Sequence, residues 1–363
     1  MGWALPTTSG CTMSVLSGLS TPTMKSLPTI LVSSLFLSAA PLIHACDLCG
    51  CYTPTLEVAH EKPWGLYAGV AEQFTDFGSE RLDGAKQPNP AGEYIHSSIT
   101  QFVVGASFLQ NRVGFQLSVP LIYRAYQRQL GFGIDRGHDT GIGDISLTAN
   151  WIVFKKEALY HDESSLSKDG KTTVDRTTGE PDFSMTVNLL AGVKLPTGDT
   201  SHLKENYKPE VEGAPDSGIG PHDLTLGTGS VDGVFGFQAE IRYKMAFFQA
   251  DLQYTVRGYG DYEYRFANDL SWSGGPGVYL YRKDGKSLGL QCVVAGETKG
   301  YDRFQGVQDP DSSVTALYVG PRITASFGRV NGEVGLDLPV IMNATSFQTT
   351  ADYRIRAGFS VRF

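Results

Sequence analysis

The chain has 363 residues, 41% hydrophobic and 19% charged, with 42 glycines and a formal net charge of −8. Soluble domains average about 25% charged residues and about 7% glycine, so charge is scarce here and glycine abundant. The acidic balance excludes a nucleic-acid binder, five cysteines exclude a disulfide-dense scaffold, and the slightly polar mean hydropathy excludes a polytopic helical membrane protein.

In chain order, residues 1–23 carry no targeting layout and read as an upstream over-extension of a start at Met24. Residues 24–45 then show one Lys, an apolar run from Leu27 to Leu37 and a small-residue end at Ala45. That is the layout of a secretory signal peptide, too short to span a membrane. Export leaves Cys46 at the mature N-terminus and 46–63 as a periplasmic segment. Cys46, Cys49 and Cys51 crowd three thiols into six residues. Gly50 stands where haem attachment needs His. A disulfide, a lipid tether on Cys46 and soft-metal binding of Cu(I) or Zn(II) stay open; a metal site needs a further ligand, such as His60. No other cofactor is expected.

From residue 64 to 363 the dominant signal is alternation. Phe248, Ala250, Leu252, Tyr254 and Val256 oppose Gln249, Asp251, Gln253, Thr255 and Arg257, and Tyr353 to Phe363 alternates with Arg354, Arg356 and Arg362. Strand side chains point to opposite faces in turn, so each segment has one oily and one polar face. Twelve segments result: 64–76, 94–109, 112–126, 142–156, 182–196, 231–244, 246–258, 262–282, 287–300, 314–327, 329–342 and 351–363. Many outrun sandwich strands, and charges sit beside glycine on the polar face. The expected fold is therefore all-β: a transmembrane antiparallel up-and-down barrel of about 12 strands in the bacterial outer membrane.

An even strand number puts both ends on the periplasmic side, and alternate links should be short. Four are: 110–112, 244–245, 282–286 and 328–329. The links at 77–93, 127–141, 197–230, 301–313 and 343–350 are mostly longer, rich in Gly, Pro, Asp and Asn, and belong outside. Link 157–181 departs from the rule, either as a long periplasmic loop or as an extra hairpin.

On the polar faces Arg124, Glu240, Arg242, Asp251, Arg257, Arg322, Glu333, Asp337, Arg354 and Arg356 are the candidates for lining a pore. They carry both signs, so strong ion selectivity is not expected. Catalysis is not expected: no Gly-x-Ser-x-Gly elbow occurs, although His96 and Ser98 share one strand face. Asp135, Asp139 and Asp144 read as solvated acidic turn residues ahead of a Ca²⁺ site. Phe363, closing an alternating strand, resembles the C-terminal signature read by the barrel-assembly machinery.

The stretch Lys194-Leu195-Pro196-Thr197-Gly198-Asp199-Thr200, followed by Leu226-Gly227-Thr228-Gly229-Ser230, resembles an outer-membrane transporter-like β-barrel family of phenol meta-pathway degradation, related broadly to hydrophobic-compound transporters. Asp261 to Phe266, Tyr318 to Pro321 and the ending from Asp352 to Phe359 fit the same resemblance, which covers about residues 64 to 363. It implies a barrel for small, aromatic or hydrophobic solutes and brings no binding residues. Read from the residues alone, the two glycine motifs end strands and allow tight curvature, or else 197–230 folds into the pore mouth as a lid. The expected function is passive diffusion of a small solute, with lipid and the assembly machinery as partners and no nucleic acid. The alternative is an interaction protein whose cysteine cluster binds metal or a periplasmic partner.

Overall fold

A computed structural model describes residues 65–158, 164–166, 172–174, 181–209 and 211–363. Its frame is a ring of twelve antiparallel strands: β1 (Gly65–Leu82), β2 (Tyr94–Phe108), β3 (Val113–Leu130), β4 (Ser146–Ala158), β5 (Phe183–Lys194), β6 (Asp232–Tyr243), β7 (Ala246–Val256), β8 (Asp269–Lys283), β9 (Lys286–Lys299), β10 (Val314–Phe327), β11 (Val330–Ala344) and β12 (Gln348–Arg362). Each strand pairs with its neighbours in sequence, and β12 returns to β1 from Tyr67↔Arg362 to Arg81↔Gln348. Closure leaves the ring no free edge, which is what a sheet in lipid requires.

The pleat explains the sequence pattern. Outward positions expose Phe102, Leu117, Phe235, Phe248, Leu290 and Phe359, which in water would be an untenable apolar surface. Lipid is the solvent that suits it, and the fold is that of bacterial outer-membrane barrels. Among the described residues no helix is long and apolar enough to cross a membrane.

Turn chemistry fixes which end is which. Asp284 and Gly285 both adopt positive φ, 52° and 70°, the backbone that two-residue hairpins favour because its twist matches the strands. The links 244–245 and 328–329 are equally short and lie at the same end as Gly65 and Phe363. At that end the Phe363 N–H donates to the Leu66 carbonyl at 2.9 Å. Along link 157–181, strand residues Ser164–Leu166 and Thr172–Val174 pair as a hairpin outside the ring, so the barrel count stays at twelve.

The outer end differs from the sequence expectation in four places. The strand expected at 64–76 runs on to Leu82, and Ala85–Lys86 pairs back on it within the expected link 77–93. Residues 127–141 are no simple loop: β3 continues to Leu130, and Gly133–Ile142 folds back on it from Leu121↔Ile142 to Leu130↔Gly133. Strand alternation thus persists beyond the membrane, where no lipid demands it. The expected strand at 262–282 begins only at Asp269, because Tyr262 turns at φ 57° and Tyr264–Arg265 pairs with Arg303–Phe304 in a small outer sheet. The expected link 343–350 shrinks to 345–347.

Candidate functional site

The inner wall is graded from one end to the other. Near the periplasmic end Glu240, Arg242 and Glu333 are partly exposed. Arg242 Nε donates to Ser184 Oγ at 3.1 Å, Gln249 Nε2 to Glu240 Oε2 at 3.4 Å, and Arg322 approaches Glu333 at 4.0 Å. Slightly higher, Asp251 accepts from Gln238 Nε2 at 2.8 Å. Farther out the charges are buried: Arg257 is 3% exposed, Asp337 3% and Arg354 4%. Arg257 bonds Asp232 at 2.8 Å and Asp269 at 2.6 Å. Arg354 Nη2 meets Glu297 at 3.0 Å, lies 4.2 Å over the Tyr318 ring, and shares Asp337 with Arg356.

The charged residues come mostly from β6 to β12. The facing wall, β1 to β3, presents buried uncharged groups: Tyr67 donates to Gln116 at 3.0 Å and Ser118 to Gln101 at 2.8 Å. The charged exceptions on this wall are Glu80 on β1 and Arg124 and Arg128 on β3, all buried, and Arg124 reaches into the lumen: Nη1 donates to the carbonyl of Asp223 at 2.9 Å and to that of Thr225.

Those carbonyls belong to the long link 195–231, which turns into the barrel mouth. Its base is tied by Asp144. Oδ1 accepts from the Thr197 and Gly198 N–H groups at 3.2 and 3.0 Å, and Oδ2 from Thr228 N and Oγ1 at 2.8 and 2.9 Å. Both glycine motifs therefore converge on one carboxylate. A Cβ on Gly198 would come 2.7 Å from Gly227 Cα, so the two strands of the stalk pass with backbones in contact.

At the far end of the link, Ile219 and Leu224 are fully buried. They join an apolar cluster with Phe77 from β1, Ile95 from β2, Val293 from β9, Tyr318 from β10, Met342 from β11 and Ala351 from β12. The seven strands (Tyr126 on β3 is also a member) are consecutive round the ring, from β9 to β12 and on through β1 to β3, so the link packs along just over half of the mouth. Glu93 and Thr349 grip Gly218: Glu93 Oε2 accepts its N–H, and the Thr349 N–H donates to its carbonyl, both at 2.7 Å. A side chain at 218 would meet Thr349 Oγ1 at 2.6 Å and its N at 2.8 Å. Gly218→Val should therefore displace the link from the mouth, read as new protease cleavage between 200 and 225 with the strands still protected.

A second apolar cluster, Leu203, Tyr264 and Phe266, packs the link against the outer loops 257–268 and 300–313. Tyr264 Oη donates to Asp302 at 2.8 Å and Asp309 at 3.2 Å, while Lys299 Nζ meets Asp302 at 2.7 Å. Burial, and then the Asp302 and Asp309 charges, hold this phenol well above its ordinary range, so it remains a donor at any physiological pH. Arg128 ties the same link to the 133–142 hairpin through Glu205 at 2.8 Å and Asp135 at 3.1 Å.

The other sequence candidates disperse. Asp135 goes to Arg128, Asp139 to His202 at 3.0 Å and Asp144 to the stalk; among the described residues no group of three His, Cys, Asp or Glu could hold a metal. His96 pairs with Asp76 at 3.0 Å, whereas Ser98 donates to Glu72 at 2.5 Å, so the two are given to different carboxylates. Phe363 is exposed at the outward face of the periplasmic rim. Cys46, Cys49 and Cys51, with the boundaries at 23, 45 and 63, lie outside the described residues. Sequence reasoning missed Glu93 and Gly218, whose partnership spans 125 positions and leaves no local signal.

No protein-family model and no curated protein matches the sequence. Among solved structures the chain is similar to the COG4313 outer membrane channel from Pseudomonas putida F1, with TM-score 0.50 and 14% identity over 85% of this chain and 100% of that one. More distant likenesses are a Pseudomonas aeruginosa FadL homologue, at TM-score 0.30 and 8% identity over 82% and 89%, and the CymD monoaromatic hydrocarbon channel, at 0.31 and 8% over 82% and 88%. At these identities the shared property is the barrel fold.

Proposed function

We propose that this barrel is an outer-membrane channel for passive diffusion of a small solute, gated at its outer mouth by link 195–231. The observation that carries the reading is the grading of the lumen. Partly exposed charges of both signs line the periplasmic half, and link 195–231 packs on apolar side chains in the outer half. Similarity to a barrel that is itself a channel supports it. Ile219, Leu224, Phe77 and Met342 are packed away while the link is seated; displacing it would bare them, and such a surface favours a small aromatic or otherwise apolar molecule over an ion. Below the plug, Glu240, Arg242, Asp251, Arg322 and Glu333 would line the path, while Arg124, Arg257, Asp337, Arg354 and Arg356 brace wall and plug.

Planar-bilayer recording tests this. Low conductance that rises when residues 200–225 are replaced by a short Gly-Ser linker is the expected result. No conductance to ions, and no flux of sugars or small aromatics, with the link present or removed, would reject the channel. Phe363 serves in the same proposal as the assembly signal. Its deletion should lower membrane insertion by the assembly machinery while leaving refolding into detergent intact.

A further inference from the structure

The link that closes the mouth is gripped by a carboxylate with a second carboxyl against it. Glu93 accepts from Gln129 N at 2.5 Å, Ser217 Oγ at 2.7 Å and Gly218 N at 2.7 Å, and is 2% exposed. Glu80, near the outer end of β1, is also 2% exposed and hydrogen-bonds Glu93. Its Oε2 is buried and has no hydrogen-bond partner. Glu80 sits opposite Thr349 in the β1–β12 register, and Thr349 is the residue whose N–H holds the Gly218 carbonyl. The pair is thus built into both grips on Gly218.

Among the described residues the nearby cations are committed elsewhere or exposed. On β1, Arg81 turns its Nη1 to the Gly84 carbonyl at 2.9 Å, and Lys86 on the following short strand is exposed. Across β3, Arg128 is committed to Asp135 and Glu205. The adjoining residues of β12, Gln348 and Thr350, are uncharged; on the link side Ser217 is uncharged and Asp216 exposed. A buried carboxyl beside a second one keeps its proton, because its ionised form is both unsolvated and repelled.

We propose that Glu80 and Glu93 form a proton-operated latch on link 195–231, seated while Glu80 keeps its proton and released when it ionises. The proposal rests on the reading of that link as the gate. Burial and the adjacent Glu93 push the Glu80 carboxyl up to about 7, against 4.5 for an ordinary glutamate. Glu80 stands beyond the partly exposed Asp76–His96 ion pair, a polar level on the outer face past the apolar band. The sign follows from the raised value. Seating is at full strength below about 4.5, where the carboxyl is protonated seated or released. Between 4.5 and 7 the released form, freed of the link's desolvation but still beside Glu93, ionises first, so seating weakens with rising pH, by at most about tenfold per unit.

Hydrogen exchange of residues 215–220 in the full chain, in detergent micelles from pH 4.5 to 8 and corrected for intrinsic rates, reads the latch directly. Protection should fall as the pH rises through that range, by at most about 300-fold, while the β1–β12 amides keep theirs. Glu80→Gln, which stays neutral and can still donate to Glu93, should hold its protection throughout. Constant wild-type protection, or the same fall in Glu80→Gln, would overturn the proposal. Wild-type bilayer conductance over the same range gives a readout that needs no variant. Should exchange show release while conductance stays nil, the latch stands and the channel reading fails; should the barrel conduct with exchange and conductance both flat in pH, the channel stands and the latch fails.

Discussion

Replacing Asp144 by Ala should unseat link 195–231 and raise single-channel conductance or open probability sharply, with the barrel still assembled. Four donors converge on this side chain at 2.8 to 3.2 Å, and Lys194, itself buried, lies 3.5 Å away. A hydrogen bond to a charged group contributes about 1.5–3 kcal/mol, and stranding a buried partner charge costs about 3–5 kcal/mol. A loss of about 3 kcal/mol shifts a closed-to-open ratio by more than about a hundredfold. The ring strands around Asp144 keep their own ladders, because Asp144 lies in the 143–145 connection just before β4 and not in a register pair. Asp144→Asn keeps an acceptor without the charge and should fall between. Unchanged conductance in Asp144→Ala, with the link still protected from protease, would mean that the stalk is not what seats the plug.

How much of this could be read from the chain alone depended on the range of the forces involved. Alternation such as Phe248 to Val256 is imposed by two solvents, lipid outside and a polar lumen inside, acting on every residue, so strand and turn positions were legible. The same rule misled at Tyr262 to Phe266, where aromatic spacing mimics a strand but Tyr264 and Phe266 are spent on a cluster with Leu203. Polar-face charges were legible as facing inward; their burial was not. Arg257 and Arg354 find their carboxylates on strands that sequence cannot align without register. The glycine motifs stood out, and both a bland turn reading and a lid reading fitted them. Only the approach of Gly198 to Gly227 shows that the turn chemistry is what builds the base of the plug.

The other large effect expected is on the barrel itself. Arg257, just past the end of β7, joins Asp232 at the top of β6 to Asp269 at the top of β8, through Nη1 at 2.8 Å and through Nε and Nη2 at 3.0 and 2.6 Å. All three side chains are at most 2% exposed, so water screens none of them. A planar guanidinium can address two carboxylates at once, whereas an ammonium is a single point of charge. Arg257→Ala leaves two buried carboxylates without it, a loss of about 3–5 kcal/mol, measured as a lower urea midpoint for unfolding in detergent micelles. Arg257→Lys should recover only part of the loss, since it cannot hold both partners in line. The triple change Arg257→Met, Asp232→Asn and Asp269→Asn removes every charge together and should lie much nearer the parent, because an intact buried ion pair gains little over a neutral, well-packed replacement. If Arg257→Ala and the triple variant lose the same stability, the contribution of Arg257 is packing, and the three strand tops are held by their backbone ladders instead.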